Sequence, residues 1–167
     1  MEKLVYQEMK KMMLATKNVR VEGEEQTDID HEDVSLSPDV NTDIPVNKKK
    51  SNRYALVIGN QNYKTYQEGL VSEANVDYAI ADARIFARYC KKTLGIPEEN
   101  LFLLTNALSS QMEREITRLQ KIAQKTGGDA ELYFFYAGHG FPDQQSRDSY
   151  LMPVDIPGTD VKQGIKL

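Results

Sequence analysis

The sequence is poor in the residues that build disulfides, metal sites and long apolar segments. Its 167 residues include one cysteine, two histidines and no tryptophan. A single cysteine excludes an internal disulfide framework and a cysteine-rich zinc site, and we predict neither a metal ion nor another cofactor. The apolar runs are too short to span a membrane, and no secretory signal core follows Lys10 and Lys11. These absences favour a cytoplasmic location and no membrane partner.

An excess of positive charge is missing as well. The chain has 21 Lys and Arg residues against 25 Asp and Glu residues, for a formal net charge of -4. This mildly acidic balance gives no reason to propose nucleic acid as the main partner. Only Gly59 follows the first predicted strand, whereas a dinucleotide-binding loop needs three glycines. One alternative function is a nucleotide-binding switch domain. The sequence does not support it, because it has no glycine-rich loop that could hold a phosphate.

Residues 1–52 differ in composition from the rest of the chain. Acidic residues dominate residues 22–43, where no Lys or Arg occurs, and Lys48, Lys49 and Lys50 follow. Such a stretch buries too little apolar surface to offset its ordering entropy. We therefore predict a flexible acidic arm or linker over residues 1–52, in which the first 17 residues are compatible with a short helix. An acidic docking tail is the functional alternative.

Residues 53–167 alternate between short apolar runs and amphipathic segments. Runs at residues 54–59, 101–104 and 132–137 predict strands, and helical spacing predicts a helix from about Asn75 to Leu94. Ser110 and Glu113 form a capping-box pattern for a second helix. The order strand, helix, strand, helix, strand predicts a parallel sheet with right-handed crossovers.

A fourth apolar run at residues 150–155 predicts a further short strand, which Pro153 stops. Its edge has no predicted partner, and residues 156–167 show no closing element. The sequence after Gly164 resembles the approach to another helix. Because an unpaired strand edge is a liability, we expect the domain to continue beyond Leu167.

The stretch LYFFYAGHG at residues 132–140 contains the strongest candidate for chemistry. Its unbroken apolar run is typical of a strand buried on both faces, and it delivers His139 at the carboxyl end, where α/β sheets bind ligands. Gly138 and Gly140 permit close backbone approach. The alternative is a strand that runs into a glycine turn, with a histidine capping the sheet edge. The flanking glycines and the strand-end position favour the functional interpretation. The polar loop over residues 60–73 is predicted to line a site.

Several of these segments together resemble bacterial caspase-like cysteine peptidases, which are relatives of metacaspases. The resemblance rests on RYALVIGN at residues 53–60, Asp82-Ala83, YAGHG at residues 136–140 and YLMPVD at residues 150–155, and it covers roughly residues 53–167. It implies a three-layer caspase-like α/β fold with a mostly parallel sheet flanked by helices, a Cys-His dyad and a peptide or protein substrate. It maps the catalytic histidine onto His139 and an oxyanion-hole N–H onto Gly140.

The nucleophile of this family sits on the next strand, in a motif like Asp-x-Cys-x-Ser-Gly. Caspases place it about 50 residues after the histidine, which falls beyond Leu167. Cys90 precedes His139 and lies on a predicted helix stripe, where a free cysteine is usually a core residue. We therefore expect a domain truncated before its nucleophile strand, inactive alone, with the C-terminal remainder as its partner. An inactive caspase-like domain that serves as an interaction module is the alternative function.

Asp82 is the candidate for substrate recognition. In metacaspases an aspartate of an early Asn-Asp motif lines the pocket for a basic P1 side chain, and Asp82 occupies the matching place with Ala81 instead of Asn. A carboxylate there favours Arg or Lys through a charge-assisted hydrogen bond. A solvated helix aspartate is the alternative.

Overall fold

The computed structural model describes residues 44–167. Most of the predicted acidic arm, including the short N-terminal helix, lies outside these residues. Within residues 44–167, no helix combines the length and apolarity needed to cross a membrane.

Three parallel strands form the main sheet, as predicted. The strands are β1 (Arg53–Gly59), β2 (Leu101–Thr105) and β3 (Glu131–Ala137), in the order β2-β1-β3. The central strand pairs on both sides, so that Leu56 lies opposite Phe102 of β2 and Phe134 of β3. Residues 55–58 are completely buried, because strands and helices surround β1 on all sides.

Two helices cover opposite faces of this sheet, after a short helix α1 (Tyr63–Tyr66). Helix α2 (Ala79–Lys92) packs its buried stripe on Ala55 and Val57, and helix α3 (Ser109–Lys125) packs on Leu56 and Ile58. Most of the predicted α2 stripe is confirmed as core: Ala79, Ala83, Ala87 and Cys90 are buried, and Phe86 packs beside them. The protein is therefore a mixed α/β domain with a parallel sheet flanked by helices.

Both predicted helix starts were wrong by a few residues. Helix α2 begins at Ala79 rather than Asn75, because Asn75 is extended and its side-chain oxygen accepts a hydrogen bond from the backbone N–H of Lys64 instead. Helix α3 begins at Ser109, whose N–H donates to the Asp155 carboxylate at 2.9 Å. The local cap is the side-chain oxygen of Gln111, which accepts from the N–H of Leu108, and Asp155 adds a partner 46 residues away in sequence.

Strand β3 is not buried on both faces, which corrects the prediction from its apolar run. Tyr133 and Phe135 pack on the α2 side of the sheet, whereas Leu132 is 42% exposed and Phe134 46% exposed on the other side. Helix α3 lies over β1 and β2, and β3 pairs only with β1 within the described residues. One face and one edge of β3 are therefore open.

A second, antiparallel sheet follows the main one. It consists of β4 (Gly140–Pro142), β5 (Ser149–Leu151) and β6 (Ile165–Lys166), with β5 in the middle. The prediction of an unpaired edge at residues 150–155 was wrong because β5 pairs on both sides. The segment expected to approach a helix forms β6.

The last residues of the predicted arm contact the folded unit. Ile44 is buried. The N–H of Asn47 donates to the carbonyl of Lys92, and the N–H of Lys50 donates to the carbonyl of Gly95. A Cβ placed on Gly95 would lie 2.2 Å from the Lys48 carbonyl oxygen. Residues 44–52 therefore lie against the end of α2, and flexibility of the arm stays a prediction for residues 1–43.

We predict that Gly95→Ala destabilises the protein more than Gly127→Ala. Both glycines adopt positive φ, at 65° and 61°, so either substitution should cost about 1–2 kcal/mol in backbone strain. Nothing lies within 4 Å of a Cβ on Gly127, whereas Gly95→Ala must also displace the segment at Lys48. Loss of that segment's hydrogen bonds should add about 1–2 kcal/mol. Urea unfolding of the two variants measures the difference, and equal losses would show that the segment contributes nothing to stability.

Candidate active site

His139 lies at the carboxyl-terminal edge of the main sheet, between the end of β3 and the start of β4. Its half-buried imidazole ring lies 4.6 Å from the Tyr63 ring and 5.9 Å from the Phe141 ring, measured between ring centroids. The Nε2 atom is 2.7 Å from the carbonyl oxygen of Ala74. The loop predicted to line the site thus contributes Tyr63, and Ala74 follows directly after it.

The contact with Ala74 fixes which imidazole nitrogen carries the proton. A carbonyl oxygen can only accept a hydrogen bond, so Nε2 of His139 is the donor. In the neutral ring the proton therefore sits on Nε2, and Nδ1 keeps a free lone pair. An imidazole in this state can take a proton at Nδ1.

The backbone of His139 is held on both its donor and its acceptor side. Its N–H donates to the Tyr63 hydroxyl at 2.9 Å. Its carbonyl oxygen accepts from the Met152 N–H at 2.9 Å and from the Tyr136 hydroxyl at 2.8 Å. The backbone of His139 is thus held by residues from three separate parts of the chain.

The carbonyl of Met152 is the second meeting point of this network. It lies 2.9 Å from the Tyr63 hydroxyl, 2.8 Å from the Tyr136 hydroxyl and 3.2 Å from the Asn60 side-chain nitrogen. The YLMPVD and YAGHG segments, which are ten residues or more apart in sequence, are therefore joined physically through Met152 and His139.

Asn60 connects the same network to the sheet. It is completely buried, its N–H donates to the carbonyl of Ala137 at the end of β3, and its side-chain oxygen accepts from the N–H of Ala107. The ends of β1 and β3 and the loop after β2 are thus tied together below His139.

The two glycines beside His139 have different roles. A Cβ on Gly138 would lie 2.6 Å from the Tyr136 hydroxyl and 2.9 Å from the Tyr63 hydroxyl. Any side chain there would displace the tyrosines, so Gly138 serves their close packing. Gly140 is exposed, and a Cβ on it would meet only an ordinary contact at 3.5 Å.

Both tyrosine hydroxyls remain protonated well above neutral pH. Burial raises the pKa of Tyr63, and burial with the neighbouring Tyr63 hydroxyl raises that of Tyr136. Each hydroxyl therefore brings one proton that it can donate and lone pairs that can accept.

Cys90 belongs to the core and not to this site. Its side chain is fully buried between α2 and the sheet, and burial raises the pKa of its thiol to about 11. Gly59 packs against the start of α2, whereas Arg53 bonds to Leu94 beyond its end, so α2 runs back along β1. Cys90 thus lies towards the amino-terminal edge of the sheet, opposite the edge with His139.

Asp82 lies in the first turn of α2 and is exposed. Because the start of α2 packs against Gly59 at the end of β1, this aspartate and His139 share the carboxyl-terminal edge of the sheet. Over residues 44–167, no group of three or more His, Cys, Asp and Glu side chains is arranged to hold a metal ion.

The sequence assigned no role to several residues around His139. Ala74 contributes only its backbone oxygen, and any residue type can do that. Tyr136 and Met152 lie in the YAGHG and YLMPVD segments that carry the family resemblance, and Tyr63 lies in the polar loop predicted to line a site, but none of the three was assigned a role. Their role comes from hydrogen bonds that span 3 to 89 positions of the chain, and most of these bonds join segments that only the fold brings together.

An α/β sheet with an accessible histidine at its carboxyl-terminal edge is common to many enzyme classes. Comparison with known families reduces the number of classes to which this chain can belong. The family model of the caspase domain matches residues 52–166, which is more than half of the chain, so the chain belongs to this family. That membership places it in the cysteine peptidase superfamily. No curated protein matches the chain.

We predict that Cys90 is inert in the folded protein. At pH 8 a buried thiol whose pKa is raised to about 11 supplies very little thiolate to an alkylating reagent. Iodoacetamide labelling followed by mass spectrometry should leave the native chain unmodified, while the same reagent labels it fully in urea. Labelling of the native chain at the rate of a free thiol would return Cys90 to the list of candidate nucleophiles.

Proposed function

We propose that this chain carries the histidine half of the Cys-His dyad of a caspase-like cysteine endopeptidase, related to metacaspases. The nucleophile comes from a segment outside the 167 residues, since Cys90, the only cysteine, is buried. The observation that carries the proposal is the bond from Nε2 of His139 to the Ala74 carbonyl, because it leaves Nδ1 free to act as a base.

The chemistry follows from that orientation. Nδ1 takes the proton of an approaching thiol, and the thiolate attacks the carbonyl carbon of the scissile peptide bond. The imidazolium then returns the proton to the leaving amine. The Ala74 carbonyl holds the ring in place, and it stabilises the positive charge of the imidazolium while the ring carries the proton taken from the thiol.

Gly140 is proposed to donate its N–H to the oxyanion. The N–H of Met152 donates to the carbonyl of His139, which continues the β4–β5 pairing by one residue. Successive residues of an antiparallel strand direct their backbone groups to opposite sides, so the N–H of Gly140 points away from β5. Its exposure leaves room for a substrate carbonyl.

The open side of β3 is the proposed place for the nucleophile strand. Within the described residues β3 pairs only with β1. The side chains of Leu132 and Phe134 are exposed, and a segment packed over them would bury their apolar surface. A parallel strand added there would end at the same sheet edge as His139, which is where the thiol has to be.

Activity of three proteins tests the proposal: the chain of 167 residues, the full-length product of its coding sequence, and that product with His139→Ala. We expect no thiol-dependent peptidase activity in the first and activity in the second. The third should lose at least about 10³-fold in kcat/KM, because dyad members act as a unit. An inactive full-length protein would favour the interaction module instead, and an active His139→Ala protein would refute the role of His139.

Asp82 is proposed to bind a basic P1 side chain, which predicts cleavage after Arg or Lys. In the full-length enzyme, Asp82→Asn should lower kcat/KM for Arg and Lys substrates by about 10- to 100-fold, the worth of a hydrogen bond between charged groups. Asp77→Asn is the matched control, since Asp77 is also an exposed aspartate near the start of α2. Two results with a panel of fluorogenic substrates would refute the role of Asp82 in the P1 pocket. One is a higher kcat/KM for substrates with P1 Asp than for those with P1 Arg or Lys, and the other is an equal kcat/KM for the two variants.

A further inference from the structure

One buried and one half-buried tyrosine contact the peptide of His139 without belonging to the reacting groups. Tyr63 comes from α1 and is 2% exposed, and Tyr136 comes from β3. Their hydroxyl oxygens are 3.2 Å apart, and between them they contact both backbone groups of His139. Burying two hydroxyls costs free energy unless their hydrogen bonds are satisfied, so their proton arrangement can be worked out.

Each hydroxyl has one proton, and one distribution gives two hydrogen bonds to each of the two carbonyl oxygens, those of His139 and Met152. Tyr63 accepts from the N–H of His139 and donates to the carbonyl of Met152. Tyr136 then donates to the carbonyl of His139, at 2.8 Å. The His139 oxygen thereby receives two hydrogen bonds, from Tyr136 and from the Met152 N–H, and the Met152 oxygen receives two, from Tyr63 and Asn60. Both oxygens use both of their lone pairs.

We propose that Tyr63 and Tyr136 are positioning residues that fix His139 through its backbone and so hold Nε2 on the Ala74 carbonyl. The inference deepens the proposed function and rests on it for its catalytic consequence. Tyr63 carries the larger share, because it binds the backbone N–H of His139 and its ring also lies 4.6 Å from the imidazole. Tyr136 contacts the carbonyl side alone.

Removal of either hydroxyl takes a hydrogen-bond partner from a defined group. Tyr63→Phe strands the N–H of His139 and halves the partners of the Met152 oxygen, while Tyr136→Phe leaves the His139 oxygen with the Met152 N–H alone. The peptide should then rotate to find another partner, and the ring should leave Ala74. A displacement of about 1 Å at a catalytic group can cost about 10²-fold in rate.

Nuclear magnetic resonance of the imidazole tests this without any need for activity. The chain of 167 residues has only two histidines, so His31→Gln gives a background in which the remaining imidazole signal belongs to His139. In this background we expect one neutral tautomer, with the proton on Nε2. Tyr63→Phe should give a mixture of the two tautomers, and Tyr136→Phe a smaller change in the same direction. Tyr66→Phe, on the same short helix and 45% exposed, is the matched control and should change nothing.

The spectrum separates positioning from a merely structural role. If Tyr63→Phe and Tyr136→Phe lower the unfolding temperature but keep the single Nε2-protonated tautomer, the proposal is overturned. The unsubstituted protein gives an independent check, because the hydroxyl proton of Tyr63 should exchange slowly and lie close to the His139 amide proton. A rapidly exchanging Tyr63 hydroxyl would overturn the proposal even if neither variant folds.

Kinetics of the full-length enzyme supply the catalytic readout. Tyr63→Phe should lower kcat by about 10- to 100-fold with little change in KM, since the substrate contacts stay in place. A full-length protein without activity would refute the proposed function but leave the tautomer result standing. Normal kcat in an active Tyr63→Phe enzyme would refute the positioning role alone.

Discussion

The amide group of Met152 is the interaction on which the rest of the site depends. Its N–H binds the carbonyl of His139 at 2.9 Å, and its own carbonyl lies within hydrogen-bond distance of Tyr63, Tyr136 and Asn60. A buried group that loses its only partner costs about 1–3 kcal/mol, so the members of this network stabilise one another. The site is consequently built from backbone groups whose positions are set by buried side chains.

The main sheet gives this network a rigid base. Asn60 connects the ends of β1 and β3. Asn106 connects the loop after β2 to the loop after β1, since its side-chain oxygen accepts from the N–H groups of Gln61 and Asn62. Asn106 adopts a positive φ of 49°, which asparagine tolerates better than most residues. The start of α3 is joined to the same region by Asp155, whose carboxylate accepts a hydrogen bond from the N–H of Ser109. The YLMPVD segment therefore serves both the histidine and the helix.

Membership of the caspase family and the geometry around His139 support each other. The family match covers the region in which the described sheet, helices and histidine lie. The bond to the Ala74 carbonyl leaves Nδ1 unprotonated in the neutral ring, which the proposed general-base role of His139 requires. The open edge of β3 and the burial of Cys90 both agree with a nucleophile supplied from elsewhere.

Local patterns in the sequence determined the order of strands and helices, the parallel sheet, the burial of Cys90 and the position of His139 at a strand end. These features depend on apolar spacing and on short-range chemistry, which a sequence displays directly. The tertiary structure alone decided that α3 leaves Leu132 and Phe134 uncovered, and that β5 pairs with β4 and β6 instead of joining the main sheet. It also decided the surroundings of His139, because a backbone carbonyl such as that of Ala74 exists at every position, and only the folded chain selects which one meets the imidazole.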